Sequence, residues 1–178
     1  MEIEIRPFLH SDAESLAFYA NNKKIAAFLR DDFPNPYTIE NAKTFLDLCL
    51  DETDFSRFSR AISLDGNAIG SISIVFNDPN DIYKKTAEIG YWLGEPYWGL
   101  GIMTRAIKFM CESAFKHTKL ERIFAETFEI NTASRRCLEK AGFTHEATLK
   151  NNICKYDIVQ NSCIYAIQRS SFVPYQTW

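Results

Sequence analysis

Two hydrophobic spacings alternate along the chain. Ile3-Glu-Ile-Arg-Pro-Phe8 puts apolar side chains at every second position, and Pro7 suits the end or edge of such a strand. Ser11-Asp-Ala-Glu14 has the form of a capping box and predicts a helix through about Ala20. A second short helix is expected over residues 23–29, stopped by Asp31-Asp-Phe-Pro34. Phe33-Pro-Asn-Pro-Tyr-Thr38 reads as a stiff, extended connector, because each proline fixes its own φ and restricts the residue before it. Thr38 is placed to cap a helix whose Ala42, Phe45, Leu46, Cys49 and Leu50 share one stripe.

From Phe55 the period returns to two. Residues 57–64, the Asp65-Gly66 turn signal and residues 68–76 form an expected hairpin, followed by a polar loop over 77–85. Residues 86–93 read as a central strand, and a glycine-containing turn leads from it into a helix ending near Lys116. Met103, Ala106, Ile107, Met110, Cys111 and Ala114 mark that helix by three- and four-residue spacing. Residues 122–128 are the next strand. A helix then opens on Asn131, with Ala133, Cys137, Leu138 and Ala141 as its expected buried face and Gly142 at the left-handed position beyond its end. Residues 144–149, 153–159 and 162–168 read as three closing strands, and the tail from Arg169 as frayed or as an interface segment. Strands enclosing a few helices predict a mixed α/β (α+β) fold on a mostly antiparallel sheet. The length of 178 residues fits one domain, residues 1–168, followed by a tail over 169–178.

The turn before the long helix carries the first chemical signal. No Ser, Thr, Asp or Asn immediately precedes Ile102, so the first backbone N–H groups of that helix have no obvious side-chain partner. Open donors, the positive end of the helix dipole and the close approach allowed by Gly99 and Gly101 together favour an anion such as a phosphate. The alternative is an ordinary strand-to-helix connection.

The wider phrase is more specific than the turn. Glu88-Ile-Gly-Tyr-Trp-Leu93 followed by Tyr97-Trp-Gly-Leu-Gly-Ile-Met-Thr104 resembles the acetyl-CoA loop of the GNAT N-acetyltransferases. Asn131-Thr-Ala-Ser134 followed by Lys140-Ala-Gly-Phe143 resembles the second signature of that family, in the expected order and on the expected elements. Within the family the likeness is to the branch that acetylates ribosomal-protein N-termini (RimJ/RimL-like), over roughly residues 2–168. It implies a splayed pair of parallel strands, with the pantetheine of acetyl-CoA along the exposed edge near Leu93 and the pyrophosphate on the amides of Gly99, Leu100, Gly101, Ile102, Met103 and Thr104. Met103 departs from the usual Ala or Gly, and the helix period turns it toward the core.

The implied reaction is attack of a neutral amine on a thioester, which needs a proton acceptor, an oxyanion donor and help for the leaving thiolate. Glu88 is the candidate base, against a structural carboxylate on a strand. The acid that many relatives place as a Tyr on the second-signature helix is Leu138 here, so that role is vacant. Ser134 matches the serine of the RimL-like branch and also fits as a partner of the helix cap. Asn131 resembles the residue that bonds the pantetheine arm, and is equally a cap. Tyr37 lies in a phrase that resembles the wall of the acceptor side, and Asp78 and Asp81 add negative charge for a cationic acceptor.

Composition narrows the remainder. A net charge of −3 argues against a general nucleic-acid binder. No apolar run reaches the ~20 residues of a membrane span, and the acidic, alternating N-terminus is unlike a signal peptide, so a cytoplasmic protein with no membrane partner is expected. Five cysteines without a Cys-x-x-Cys pair read as reduced thiols, mostly buried, and three scattered histidines argue against a metal site. The expected acceptor is the α-amine of a protein N-terminus or peptide, with a small-molecule amine (polyamine, antibiotic or amino acid) as the alternative, and the protein is expected to be a monomer or homodimer. Two rivals of other classes are a dinucleotide oxidoreductase and a non-catalytic acyl-CoA-binding module. Against the first, Thr104 stands where a third glycine is needed.

Overall fold

Turn chemistry sets much of the architecture. The computed structural model describes residues 2–51 and 53–174. Asp65 (φ 47°) and Gly66 (φ 86°) both adopt left-handed backbone, the geometry that closes a two-residue hairpin between β2 (Arg57–Leu64) and β3 (Asn67–Phe76). With β1 (Ile3–Arg6), β4 (Thr86–Leu93), β5 (Arg122–Phe128), β6 (Thr144–Lys155) and β7 (Ile158–Gln168), the described strands form one sheet in the order β1-β2-β3-β4-β5-β7-β6. Pairing is antiparallel for β1/β2, β5/β7 and β6/β7, and parallel for β4/β5. The fold is therefore the expected mixed α/β arrangement with a mostly antiparallel sheet and one parallel pair.

The chain groups into two units, and the first comprises Met1–Ser73 and Gly90–Ile102. Its core gathers Phe8, Leu16, Tyr37, Ala42, Leu46 and Ala61, with Phe33, Phe45, Cys49 and Trp92 packed against it. Helix α1 (Ala13–Ala20) supplies Leu16, and α3 (Ile39–Leu50) supplies Ala42 and Leu46. Thr38 caps α3 as predicted: its Oγ1 accepts the Asn41 N–H, and Asn41 Oδ1 accepts the Thr38 N–H. The capping box expected at Ser11 is not formed. A 3-10 turn over His10–Asp12 comes first, and the Asp12 carboxylate is committed to both Arg6 Nη atoms and to the Leu9 N–H. Helix α2 is only Lys23–Ala26, and tighter i→i−3 bonds at Phe28 and Leu29 replace the longer helix expected.

The second unit comprises Ile74–Ile89 and Met103–Trp178. Helix α4 (Ile102–His117) buries Met103, Ala106, Ile107, Met110, Cys111 and Ala114, the stripe read from the sequence. Helix α5 (Thr132–Lys140) ends as Gly142 predicts. Gly142 sits at φ +98°, its N–H bonds to Glu139 O, and the Phe143 N–H bonds to Leu138 O. Ala133, expected on the buried face of α5, is exposed, because its place in the first turn points it outward.

Two strands, not three, close the sheet. The Asn151-Asn152 break is a bulge within β6: Asn151 takes φ 55°, its N–H bonds to Asn161 Oδ1, and the register with β7 shifts between Leu149 and Ile153. The reversal falls instead at Tyr156 (φ 53°) and Asp157 (φ 60°). All five cysteines are free, but only Cys111 and Cys163 are buried, and Cys154 is exposed on β6.

The described part of the tail is an anchor. The Arg169 guanidinium donates to the carbonyls of Phe115, Thr118 and Leu120 at 2.5–2.8 Å, satisfying acceptors at and beyond the C-terminus of α4. The Phe172 ring packs on Phe115 at 5.4 Å. Residues 175–178 of the predicted tail lie outside the described residues. Replacing Arg169 with Ala should lower stability by about 2–3 kcal/mol, and Arg169→Lys should recover little, since an ammonium cannot span three carbonyls. Denaturant midpoints at constant m value test this, and an Arg169→Ala midpoint equal to wild type would contradict it.

Candidate active site

Strand β4 and the turn after it carry most of the residues expected to hold the cofactor. Its parallel register with β5 runs from Thr86↔Arg122 to Glu88↔Phe124, whereas β4 itself continues to Leu93 and β5 to Phe128. Beyond Glu88 the edge of β4 is therefore outside the parallel ladder. Ala87, Ile89 and Leu93 are buried, and Glu88 is half-buried on the alternate face that also carries Gly90 and Trp92. Leu93 lies over Gly70, where a Cβ would come within 2.5 Å of Trp92 O, and Leu93 O accepts the Trp98 indole N–H at 2.7 Å.

The turn itself is open. Gly99 (φ +77°) and Gly101 (φ +76°) both require left-handed backbone, and a Cβ at either would meet nothing within 4 Å. Leu100 between them is 61% exposed. Helix α4 starts at Ile102 with no acidic residue in its first turn, so no carboxylate on that turn competes with an anion for its amides. Ile102 and Met103 are buried and Thr104 is half-buried, so the exposed part of this turn is the backbone at Gly99 and Gly101 beside the Leu100 side chain. These residues fit a phosphate-bearing group held by amides and approached at the two glycines, where space is clear.

In the second unit, Asn131 and Ser134 are brought together. Asn131 Oδ1 accepts the Ser134 N–H at 3.1 Å, so the cap read from the sequence exists and uses that oxygen, leaving the Asn131 amide NH2 as a side-chain donor. Ser134 is half-buried at the start of α5. The helix is fixed from below by a link that sequence reading missed. Arg135 Nε donates to the Tyr165 hydroxyl, which donates in turn to Glu139 Oε1, and Arg135 Nη1 donates to Glu129 O. Tyr165 is fully buried on β7, and only its pairing opposite Ala125 in the sheet reveals it as a support for α5. Leu138 is also fully buried, so its side chain is committed to packing.

Tyr37 lies in the first unit and is a core residue, 6% exposed, with its ring 5.0 Å from that of Phe33. Burial pushes its phenol up to about 12, so it stays neutral, and the Tyr37 N–H donates to Asn21 Oδ1. Asp78 and Asp81 organise their own loop, accepting the N–H groups of Asn80 and Tyr83. Among the described residues no cluster of three His, Cys, Asp or Glu is arranged to hold a metal ion, and no helix is long and apolar enough to cross a membrane.

Comparison with known proteins agrees with this geometry. Residues 2–144 match the acetyltransferase (GNAT) domain. The chain is 31% identical over 159 residues to a probable N-acetyltransferase, YjcK, of Bacillus subtilis (strain 168), covering 85% of each. It is 32% identical over 98 residues to a ribosomal-protein-serine acetyltransferase of Escherichia coli (strain K12), covering 55% of this chain and 53% of the other. In fold it is similar to RimL, a ribosomal L7/L12 α-N-protein acetyltransferase solved with coenzyme A, with a TM-score of 0.82, 20% identity and 93% of both chains covered. The chain belongs to the GNAT acetyltransferase family, and it is an acyl-CoA-dependent N-acetyltransferase.

The turn geometry yields a direct expectation. Gly101→Val forces a branched residue into left-handed backbone at a strain of roughly 1–2 kcal/mol and crowds the amides of residues 100–104. Coenzyme A affinity should fall at least tenfold, as read by calorimetry on protein shown to be folded. Unchanged affinity would remove the phosphate from this turn.

Proposed function

We propose that this protein transfers an acetyl group from acetyl-CoA to a primary amine, and that the preferred acceptor is the α-amine of a peptide or protein N-terminus. The observation that carries the donor half is the pair of open left-handed glycines leading into α4, at the end of a strand whose edge is outside the parallel ladder after Glu88. Bound acetyl-CoA supplies an acyl group already activated as a thioester. The chain's own work is to hold the phosphates on the amides of residues 100–104, orient the arm along β4 near Leu93 with the Asn131 amide as a donor, and manage one proton.

Glu88 takes that proton in this reading, directly or through one water. Ser134 is left to orient a polar neighbour, since a serine hydroxyl is a weak acid and Leu138 offers nothing. An α-amine (pKa ~8) is neutral at pH 7 about two hundred times more often than a lysine amine (~10.4), so it asks less of a single carboxylate base. The partial similarity to a ribosomal-protein-serine acetyltransferase supports the same acceptor. Tyr37 contributes as a fixed wall, held neutral and packed by the core.

Glu88→Gln should lower kcat about 100-fold while leaving coenzyme A affinity within twofold, and Ser134→Ala should cost about tenfold or less. A larger loss at Ser134 than at Glu88 would reverse the two roles. Acceptor choice is read by comparing short peptides, spermidine, aminoglycosides and free amino acids at one acetyl-CoA concentration. Turnover confined to polyamines or aminoglycosides would retire the N-terminal acceptor and keep the transferase.

A further inference from the structure

Residues 94–98 lead from β4 to the glycine turn, and the far end of α1 grips them. Gly94 lies so close to the Tyr19 ring that a Cβ there would stand 2.9 Å from Cδ1. The hydroxyls of Tyr19 and Tyr97 are 2.8 Å apart, and their rings meet edge to face at 5.4 Å. Asn22 Nδ2 donates to Glu95 Oε2 at 2.8 Å, and the Lys24 ammonium pairs with Glu95 Oε1. Three consecutive positions on one side of the glycine turn, Glu95 through Tyr97, are thus held at both ends by residues of the first unit.

The same junction reaches the acceptor wall. Asn21, adjacent to Asn22, accepts the Tyr37 N–H on its Oδ1 at 3.1 Å. The two asparagines form the break between α1 and α2, and the break is itself pinned. The Asn21 N–H bonds to Ala17 O, the Asn22 N–H bonds to Ala20 O at 2.7 Å, and Asn22 Oδ1 caps α2 by accepting the Lys24 N–H. Asn22 therefore uses both ends of its amide, one on α2 and one on Glu95. The Tyr97 phenol is pushed up to about 12, chiefly by its bond to Tyr19, so the Tyr97 hydroxyl stays protonated in the range of an activity assay.

We propose that the junction at residues 19–22 is a positioning element that ties the donor turn to the acceptor wall, so that filling either site raises affinity at the other. The proposal rests on the functional reading above, with coenzyme A phosphates on residues 100–104 and Tyr37 on the acceptor side. Its physical basis is that one short, doubly bonded segment holds both Glu95–Tyr97 and Tyr37, so a displacement that a ligand favours on one side is carried to the other. Coupling of this kind is reciprocal by linkage.

The test uses coenzyme A and an acceptor peptide, which together form a non-reacting ternary complex with the full chain. Calorimetry should give coenzyme A affinity about tenfold higher in the presence of saturating peptide, and peptide affinity higher by the same factor with coenzyme A present. Asn22→Ser keeps an oxygen to cap α2 but loses the donor to Glu95, and Tyr97→Phe loses one hydroxyl. Both should bring the factor below about two while each ligand still binds. Asn21→Asp keeps the acceptor for Tyr37 N–H and should retain the coupling that Asn21→Ala loses. If Asn22→Ser does not fold, Tyr97→Phe carries the same comparison. A factor near one in the unaltered chain, or an unchanged factor in Asn22→Ser and Tyr97→Phe, overturns the junction alone. Failure of the unaltered chain to bind coenzyme A overturns the functional reading on which it rests.

Discussion

The parallel pairing of β4 with β5 is the constraint on which the site depends. Antiparallel neighbours can be joined by two residues, as β2 and β3 are, but a parallel pair needs a crossover long enough to return the chain to its starting end. Here the crossover is the turn after Leu93 and helix α4. That topology puts the N-terminus of α4 just after the C-terminal end of β4, so the open amides follow directly on a strand edge. The pairing is also short, ending at Glu88↔Phe124, and the carboxylate proposed as base sits at the last paired position. The proposed cofactor turn and the proposed base thereby share one stretch of about seventeen residues, joined by the start of a crossover.

Polar ties in this fold concentrate where helices begin and end. Thr38 and Asn41 close the start of α3, Asn131 closes the start of α5, Asn22 the start of α2, and Arg169 the end of α4. The start of α4 has no acidic residue in its first turn, and its glycines stand clear of neighbouring atoms. Side-chain caps are therefore used at some helix ends of this chain and not at others, since α1 begins without one, and the proposed cofactor turn lies at the start of α4, where the glycines leave space.

Legibility in the sequence followed the range of the interaction. Asp65-Gly66, Thr38, Asn131 and Gly142 act within three or four residues, and each was readable because its local geometry admits few residue types. The stripe on α4 was readable for the same reason, since burial imposes its period. The anchoring role of Arg169, at the start of a segment expected to be frayed or an interface, is not legible locally because its three carbonyls lie about fifty residues upstream. The turn at Tyr156-Asp157 was missed because tyrosine is a poor signal for left-handed backbone, while Asn151-Asn152 offered a better-looking break that the sheet absorbs as a bulge. Ser11 failed as a cap because Asp12 had a stronger partner in Arg6, an ion pair to a residue of β1. Of the site, the glycine turn and the α5 cap were legible, and their supports at Tyr19, Asn22 and Tyr165 were not, since each bridges elements distant in sequence.

In the proposed function, the burial of Leu138 bears on which acceptor amine suits the site. With Leu138 fully buried, no acid is presented from that position on α5, and the Asn131 cap leaves Ser134 with a weakly acidic hydroxyl. A thiol of pKa ~8.5 leaves as its anion near neutral pH with little protonation, so the absence of a strong acid at Leu138 costs a thioester less than it would cost an ester of an ordinary alcohol. In the proposed function the demand shifts to the amine, which reaches the site neutral or loses its proton to Glu88. An acceptor whose amine is already partly neutral at physiological pH suits such a site better than a lysine side chain. The proposed α-amine acceptor thus draws support from what α5 does not offer as well as from the proposed base on β4.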